Sequence, residues 1–245
     1  MVGVVAAGGS GSRLSPLTNY INKHLAPCEP GKLMIDYPLK TMAELGLQEV
    51  IVVTGSNHAS QIVDYVADGE RYGFKKVEYA FQAKPAGIAD VLKRINDKEQ
   101  ESDLLLILGD NYFSERIEVP YPTGKGRAVA WEFDIEDPFK AQKFGQAVRN
   151  DDGIVTDIVE KPTKTYSSRI LTGLYYFPMD VFQKVRELTP SARNELEITH
   201  LLKLYLLEDR LTVLPVKGDW ADLGEWDSLQ KFWTSRGADG SAKWK

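Results

Sequence analysis

Val2 to Ala7 form an unbroken apolar run closed by Gly8. That is the pattern of a short strand buried on both faces. Residues 36–45 then place Leu39, Met42 and Ala43 at i, i+3 and i+4, with Gly46 as the expected helix stop. EVIVVTG follows as a second buried strand rich in β-branched residues. Ile62, Val63 and Val66 mark another helix, and Val77, Tyr79 and Phe81 alternate as in a half-buried strand. Ile88, Val91, Leu92 and Ile95 trace an amphipathic helical stripe. Leu104 to Leu108 are again wholly apolar and run into Gly109-Asp110-Asn111.

This alternation of strand and helix predicts an α/β fold with a largely parallel sheet covered on both faces. In such sheets ligands sit beyond the carboxyl ends of the strands, where both GGSGSR and GDN fall. The second half is richer in strand. Residues 127–134, 145–149, 153–159 and 170–177 are strand candidates, helical patterns cover 179–188 and 196–207, and LTVLPV precedes a last helix over 224–236. No repeat, low-complexity linker or charge block interrupts the chain. One domain over 1–245 is the simplest reading, with a mixed second lobe and a frayed tail at 237–245.

Composition narrows the class without naming the chemistry. The 245 residues are 43% hydrophobic and 27% charged, an ordinary globular balance, and the net charge of −5 speaks against a nucleic-acid-binding role. A single cysteine, Cys28, excludes an intrachain disulfide and points to a reducing compartment. The first apolar run is too short for a signal peptide or a membrane span, and no later segment is apolar for 18 residues. A cytoplasmic location without membrane partners is expected.

The candidate chemistry begins with Gly8, Gly9 and Gly11, directly followed by Arg13 and, ten residues on, Lys23. Neither a dinucleotide fingerprint nor a Walker loop fits, because the third glycine of one and the Gly-Lys pair of the other are missing. Glycines admit backbone N–H groups to phosphate oxygens, the Arg13 guanidinium forks two donors, and Lys23 adds a point charge. The same letters also fit a plain strand-to-loop turn with a surface arginine. Asp110 and Asp222 each follow an apolar strand; two such acids suit Mg²⁺, which takes oxygen ligands and keeps waters, but each alone also fits a loop cap. Glu160 and Lys161 set an acid beside a base, with Pro162 bending the chain.

Taken in order, GGSGSRLSPLT, NKHLAP, KLMIDYPL, FQAKPAGIAD, LGDNYF, VEKP, LTGLYYFP, NELEITHLL and WADLGEWDSL resemble the sugar-1-phosphate nucleotidyltransferases. The similarity is greatest to glucose-1-phosphate thymidylyltransferases and runs from about residue 2 to 233. It implies a three-layer α/β/α sandwich with a Rossmann-like, mixed and mostly parallel central sheet. It also implies a nucleotide-binding half over 1–115 and a sugar-phosphate-binding half over 116–236. The implied reaction is Mg²⁺-dependent: an NTP, here dTTP, and a sugar 1-phosphate, here glucose 1-phosphate, give an NDP-sugar and pyrophosphate.

By the same resemblance Gly8, Gly9, Gly11 and Arg13 hold the triphosphate, Lys23 neutralises phosphate charge, and Gln82, Pro85 and Gly87 read the base. Asp110 and Asp222 hold Mg²⁺. Lys161 binds the sugar phosphate, while Gly145, Glu160, Leu171 and Thr172 line the sugar site with Asn111 nearby. Leu223 and Glu225 stand where the family usually carries threonines, which leaves local packing and metal affinity open. The longer relatives continue past the last motif into helices that contribute to a regulatory nucleotide site and to subunit contacts, so both that site and the usual tetramer stay open here, and a homo-oligomer is compatible with the chain. Uridylyl or cytidylyl transfer to another sugar phosphate, or nucleotide-sugar binding without catalysis, are the competing readings.

Overall fold

Seven of the apolar segments pair into one sheet, in the order Leu211–Pro215, Ala128–Asp134, Arg169–Phe177, Leu104–Leu108, Val2–Ala7, Glu49–Gly55 and Lys76–Gln82. The computed structural model describes residues 1–95, 102–120 and 126–236. Val2–Ala7 lies parallel to Glu49–Gly55, which lies parallel to Lys76–Gln82. Ala128–Asp134 pairs antiparallel with Arg169–Phe177 and parallel with Leu211–Pro215. The fold is α/β with a mixed, mostly parallel sheet.

The chain divides into two compact units that interleave along the sequence. One consists of Val2–Pro85, Ile107–Ile117 and the described residues from Lys217 onward; the other of Met1, Ala86–Leu106 and Glu118–Val216. The tail at 237–245 lies outside the described residues.

In the first unit Val4, Val5 and Ala7 are fully buried, as their lack of polar alternation requires. The helix Asp36–Glu44 buries Leu39 and Met42 and ends as its sequence demands. Gly46 takes φ 78°, its N–H donates to Ala43 O at 2.9 Å, and Leu47 N–H donates to Met42 O at 3.2 Å. This double closure satisfies carbonyls that the helix end would leave bare. The helix Trp226–Ser235 buries Leu229 and Phe232 against Leu14, Met34, Tyr37 and Tyr112. Leu223 belongs to the same cluster, fully buried, so its apolar side chain serves packing.

The second unit holds the helices Val181–Glu187 and Ile198–Leu207, which bury Val181, Phe182, Leu201 and Leu202. One expectation fails here: the stripe from Ile88 to Ile95 forms a 3₁₀ helix, Ala89–Arg94. Spacings of three fit either winding, and the segment is pinned at its start by Ala89 N–H donating to Leu196 O at 3.0 Å. It ends where Ile95 turns extended. Two short antiparallel pairs escape the periodicity altogether: Asn111–Phe113 with Trp220–Asp222, and Pro27–Glu29 with Lys32–Leu33. The first of these pairs Asp222 with Asn111.

Candidate active site

The glycine loop leaves the first strand and folds over two side chains. A Cβ on Gly8 would lie 2.6 Å from Gln82 Oε1, and one on Gly9 would lie 3.0 Å from both Lys23 Cε and Nζ. Gly11 has φ 71°, and a Cβ there would lie 2.7 Å from Lys23 Cβ and Thr18 Cγ2. The glycines are thus what lets the backbone press onto Lys23 and the buried Gln82. Pro85 is exposed beyond Gln82.

Lys23 points the other way as well. Its Nζ donates to Asp110 Oδ2 at 2.7 Å, and both side chains are about nine-tenths buried. Asn111 Nδ2 donates to the other oxygen of Asp110 at 3.1 Å, while its Oδ1 accepts from the Trp220 indole at 2.8 Å. Asp222 is held by the Gly224 N–H, at 2.9 Å to Oδ1. A Cβ on Gly224 would lie 2.8 Å from Asp110 Oδ2, 3.0 Å from Asp222 Oδ1 and 3.6 Å from Arg13 Nη2. Gly224 therefore marks where the two acids and Arg13 converge. The Arg13 guanidinium itself donates to Glu225 Oε1.

The electrostatics of this cluster are uneven. Burial would raise the Asp110 carboxyl, but Lys23 beside it, with His24 and the Asn111 amide, holds it below the usual carboxylate range. Asp222 moves the opposite way, pushed up by desolvation and then by the charge of Asp110. Two acids share one buried lysine; Asp110 keeps the negative charge beside it, and Asp222 is the one that more readily holds a proton. An oxygen-seeking divalent cation fits that donor set, since Mg²⁺ is commonly held by one or two carboxylates plus substrate phosphates. Among the described residues no group of three or more His, Cys, Asp or Glu side chains could hold a metal. The pair is what the site offers.

His24 is packed against Gly109, beside the cluster. It is buried, its Nδ1 lies 2.9 Å from Asn22 Oδ1, and its ring packs where Gly109 would carry a Cβ. Burial and the Lys23 charge, against a smaller pull from Asp110, lower its pKa to about 3. The ring is neutral and fills the space against Gly109, next to Asp110.

The second unit gathers another set. A Cβ on Gly145 would lie 2.8 Å from Thr199 Cγ2, 3.3 Å from Leu171 Cδ1 and 3.4 Å from Glu160 Oε2. Leu171 N–H donates to Gly145 O at 2.8 Å, and Thr172 Oγ1 donates to Trp131 O at 3.0 Å. Glu160 accepts from Thr199 Oγ1 at 3.2 Å and from Arg193 Nη2 at 3.1 Å. Its carboxyl is raised by burial and by Glu197, against the pull of Lys161, Arg193 and the Thr199 hydroxyl. Arg193 also pairs with Glu197 at 2.7 Å and Glu195 at 3.3 Å. Arg193 escaped the sequence reading because its motif, NELEITH, shows acids and not the cation two residues ahead of them.

Lys161 reaches Glu160 Oε1 at 3.8 Å from a backbone with φ 39°. A non-glycine residue held there is strained, and such strain collects at functional sites. Lys161→Gly should therefore be more stable than Lys161→Ala, by roughly 1 kcal/mol, although both lack the amine. Chemical denaturation of the two variants compares them directly. Gly87, φ 97°, is more constrained still: a Cβ would lie 2.3 Å from Leu196 O and 2.6 Å from Leu196 N. Backbone cannot yield as a side-chain tip does, so Gly87→Ala should cost about 2–4 kcal/mol, visible as a lowered thermal midpoint.

A glycine turn thus brings an arginine and a lysine together with two acids at the strand ends of an α/β sheet, cations and carboxylates in one place. The chain matches the family model described as "Nucleotidyl transferase" over residues 2–235. It is 34% identical to the low-salt glycan biosynthesis nucleotidyltransferase Agl11 of Haloferax volcanii, with 92% of this chain and 63% of that protein aligned. It therefore spans less than two thirds of that relative's length. It is also 34% identical to a glucose-1-phosphate thymidylyltransferase of Actinoplanes sp., covering 91% of this chain and 74% of that one. Among solved structures, a Bacillus anthracis protein described as a glucose-1-phosphate thymidylyltransferase, in complex with sucrose, superposes with a TM-score of 0.87. It is 34% identical, over 98% of this chain and 96% of its own. A UDP-glucose pyrophosphorylase bound to UDP-glucose shares the fold at a TM-score of 0.79 and 19% identity, over 97% of this chain and 98% of its own. The chain belongs to the nucleotidyl transferase family, among relatives that are sugar-1-phosphate nucleotidyltransferases. No helix among the described residues is long and apolar enough to cross a membrane.

Proposed function

We propose that the chain acts as a single nucleotidyltransferase domain that makes an NDP-sugar and pyrophosphate from an NTP and a sugar 1-phosphate. dTTP and glucose 1-phosphate are the expected pair, after the Actinoplanes relative. The observation that carries this reading is the convergence of Lys23, Arg13, Asp110 and Asp222 at the glycine loop. Two cations and two acids around one small space suit a triphosphate with a divalent cation. They suit no nucleophilic side chain.

A non-bridging oxygen of the sugar phosphate is already a nucleophile near neutral pH, because a phosphate monoester loses its second proton around pH 6. It attacks the α-phosphorus in line. One P–O bond forms, the bond from the α-phosphorus to the β-phosphate oxygen breaks, and that oxygen leaves with the electron pair as pyrophosphate. The backbone N–H groups of Gly8, Gly9 and Gly11 and the side chain of Arg13 take charge on the leaving group, and Lys23 takes charge near the α-phosphate. Gln82, Pro85 and Gly87 orient the base. Lys161 holds the sugar phosphate while Glu160, Gly145, Leu171 and Thr172 orient the sugar, and Asn111 holds Asp110 in place. Mg²⁺ held by Asp110 and Asp222 would supply further neutralisation of phosphate charge.

The test is pyrophosphate release with Mg²⁺ over a matrix of NTPs and sugar 1-phosphates. dTTP with glucose 1-phosphate should turn over fastest, and excess chelator should abolish the signal. A preference for UTP or CTP would replace the thymidylyl assignment. Silence across the matrix would leave a nucleotide-sugar-binding protein. In the same assay Lys161→Ala should raise KM for the sugar 1-phosphate by about 10- to 100-fold, the loss of one well-placed charge-assisted hydrogen bond.

A further inference from the structure

Both cations assigned to the nucleotide's phosphates are already held by carboxylates of their own unit, and the two pairs differ in kind. Lys23 and Asp110 form a buried pair. Arg13 and Glu225 form a wet one: their side chains are 55% and 30% exposed. Exposed pairs contribute little and exchange partners readily. A buried pair is costly to break by losing one partner. Glu225 is also well placed to let go. Its backbone is extended, with φ −128° and ψ 148°, at the start of the helix Trp226–Ser235, and its carbonyl accepts from Leu229 N–H at 3.0 Å. Next to it the Trp226 indole donates to Ser15 O at 3.0 Å. The helix start at Glu225 and its neighbour Trp226 are thus fixed in place, with the Glu225 carboxylate on Arg13.

A carboxylate offers a guanidinium the same pair of oxygens that a phosphate does. We propose that Glu225 is a built-in competitor for the nucleotide's phosphates. It occupies Arg13 until a polyphosphate takes the guanidinium, and it reclaims Arg13 as pyrophosphate departs. Glu225 is thus a positioning residue, acting through Arg13, that lowers affinity for nucleotide and product. The inference rests on the functional reading above only for the identity of the ligand as a polyphosphate.

The test is a double-mutant cycle read by calorimetry with inorganic tripolyphosphate and pyrophosphate at fixed ionic strength. Glu225→Gln should tighten both ligands about two- to fivefold, the size expected for releasing one exposed ion pair. In an Arg13→Gln background, read at millimolar ligand, the same substitution should change nothing. Both side chains are substantially exposed, and thermal unfolding verifies that all variants fold. With active protein, Glu225→Gln should lower KM for the NTP and leave KM for the sugar 1-phosphate unaltered. Unchanged affinity in Glu225→Gln would overturn the proposal. So would an equal gain in the Arg13→Gln background, for then the glutamate acts only by its charge on the whole site. Wild-type silence across the substrate matrix would instead overturn the functional reading, while the binding cycle still decides the role of Glu225.

Discussion

Asp110→Asn is expected to lower turnover by about 10²- to 10³-fold, the scale on which enzymes lose a single charged interaction with the transition state. Fold stability should fall by less than about 2 kcal/mol, well under the 3–5 kcal/mol typical when one partner of a buried ion pair is removed. The difference comes from the neighbour. Asp110 is bound to Lys23 at 2.7 Å, but it also pushes up the carboxyl of Asp222. Neutralising it leaves one lysine facing one acid, a balanced pair, where before two acids competed. Asparagine keeps the shape and leaves the backbone carbonyl that accepts from Leu223 N–H at 2.8 Å. The two readouts are steady-state pyrophosphate release and urea denaturation. Full activity would remove Asp110 from the chemistry, and a collapse of stability would make its role structural.

How much of the fold is legible in the letters depends on range along the chain. Unbroken apolar runs ending in glycine mark Val2–Ala7 and Glu49–Gly55 because a parallel strand buried on both faces tolerates no polar alternation. Gly46 announces its helix end because few other residues sit comfortably at φ 78°. The residues from 88 to 95 mislead because a spacing of three is common to both helix types. The interleaving of the two units, with Ile107–Ile117 returning to the first, depends on residues far apart in the chain, which no window reveals.

The site divides along the same line. Gly8, Gly9, Gly11, Arg13 and Lys23 stand within 16 residues and are legible as one candidate loop. That Gly9 and Gly11 are glycines so the loop can close on Lys23 is not. Asp110 and Asp222 could be picked out singly as acids at strand ends. Their convergence at Gly224 needed the antiparallel pairing of Asn111–Phe113 with Trp220–Asp222, two three-residue strands too short for any period. Leu223 and Glu225, one departure when read as letters, separate into unrelated roles: one fills the core, the other holds Arg13.

Arg13→Ala should reduce kcat by about 10²-fold or more while KM for the sugar 1-phosphate stays within about twofold. In the proposed reaction Arg13 stabilises charge that grows on the departing pyrophosphate, and that charge is greater in the transition state than in the bound NTP. An interaction of this kind lowers kcat when removed; one made equally in the ground state would raise KM instead. The substitution should not unfold the protein, because the side chain is more than half exposed and its partner Glu225 is solvated as well. Removing Arg13 also removes the group for which Glu225 competes, so KM for the NTP reflects two opposed changes. The phosphate forfeits a guanidinium, but no ion pair has to be broken before it binds. The increase in that KM should accordingly be smaller than the fall in kcat. Initial rates with each substrate varied in turn separate these quantities. An unchanged kcat, with the whole effect in KM for the NTP, would reduce Arg13 to a ground-state anchor and pass the stabilisation of the leaving group to the backbone of the glycine loop.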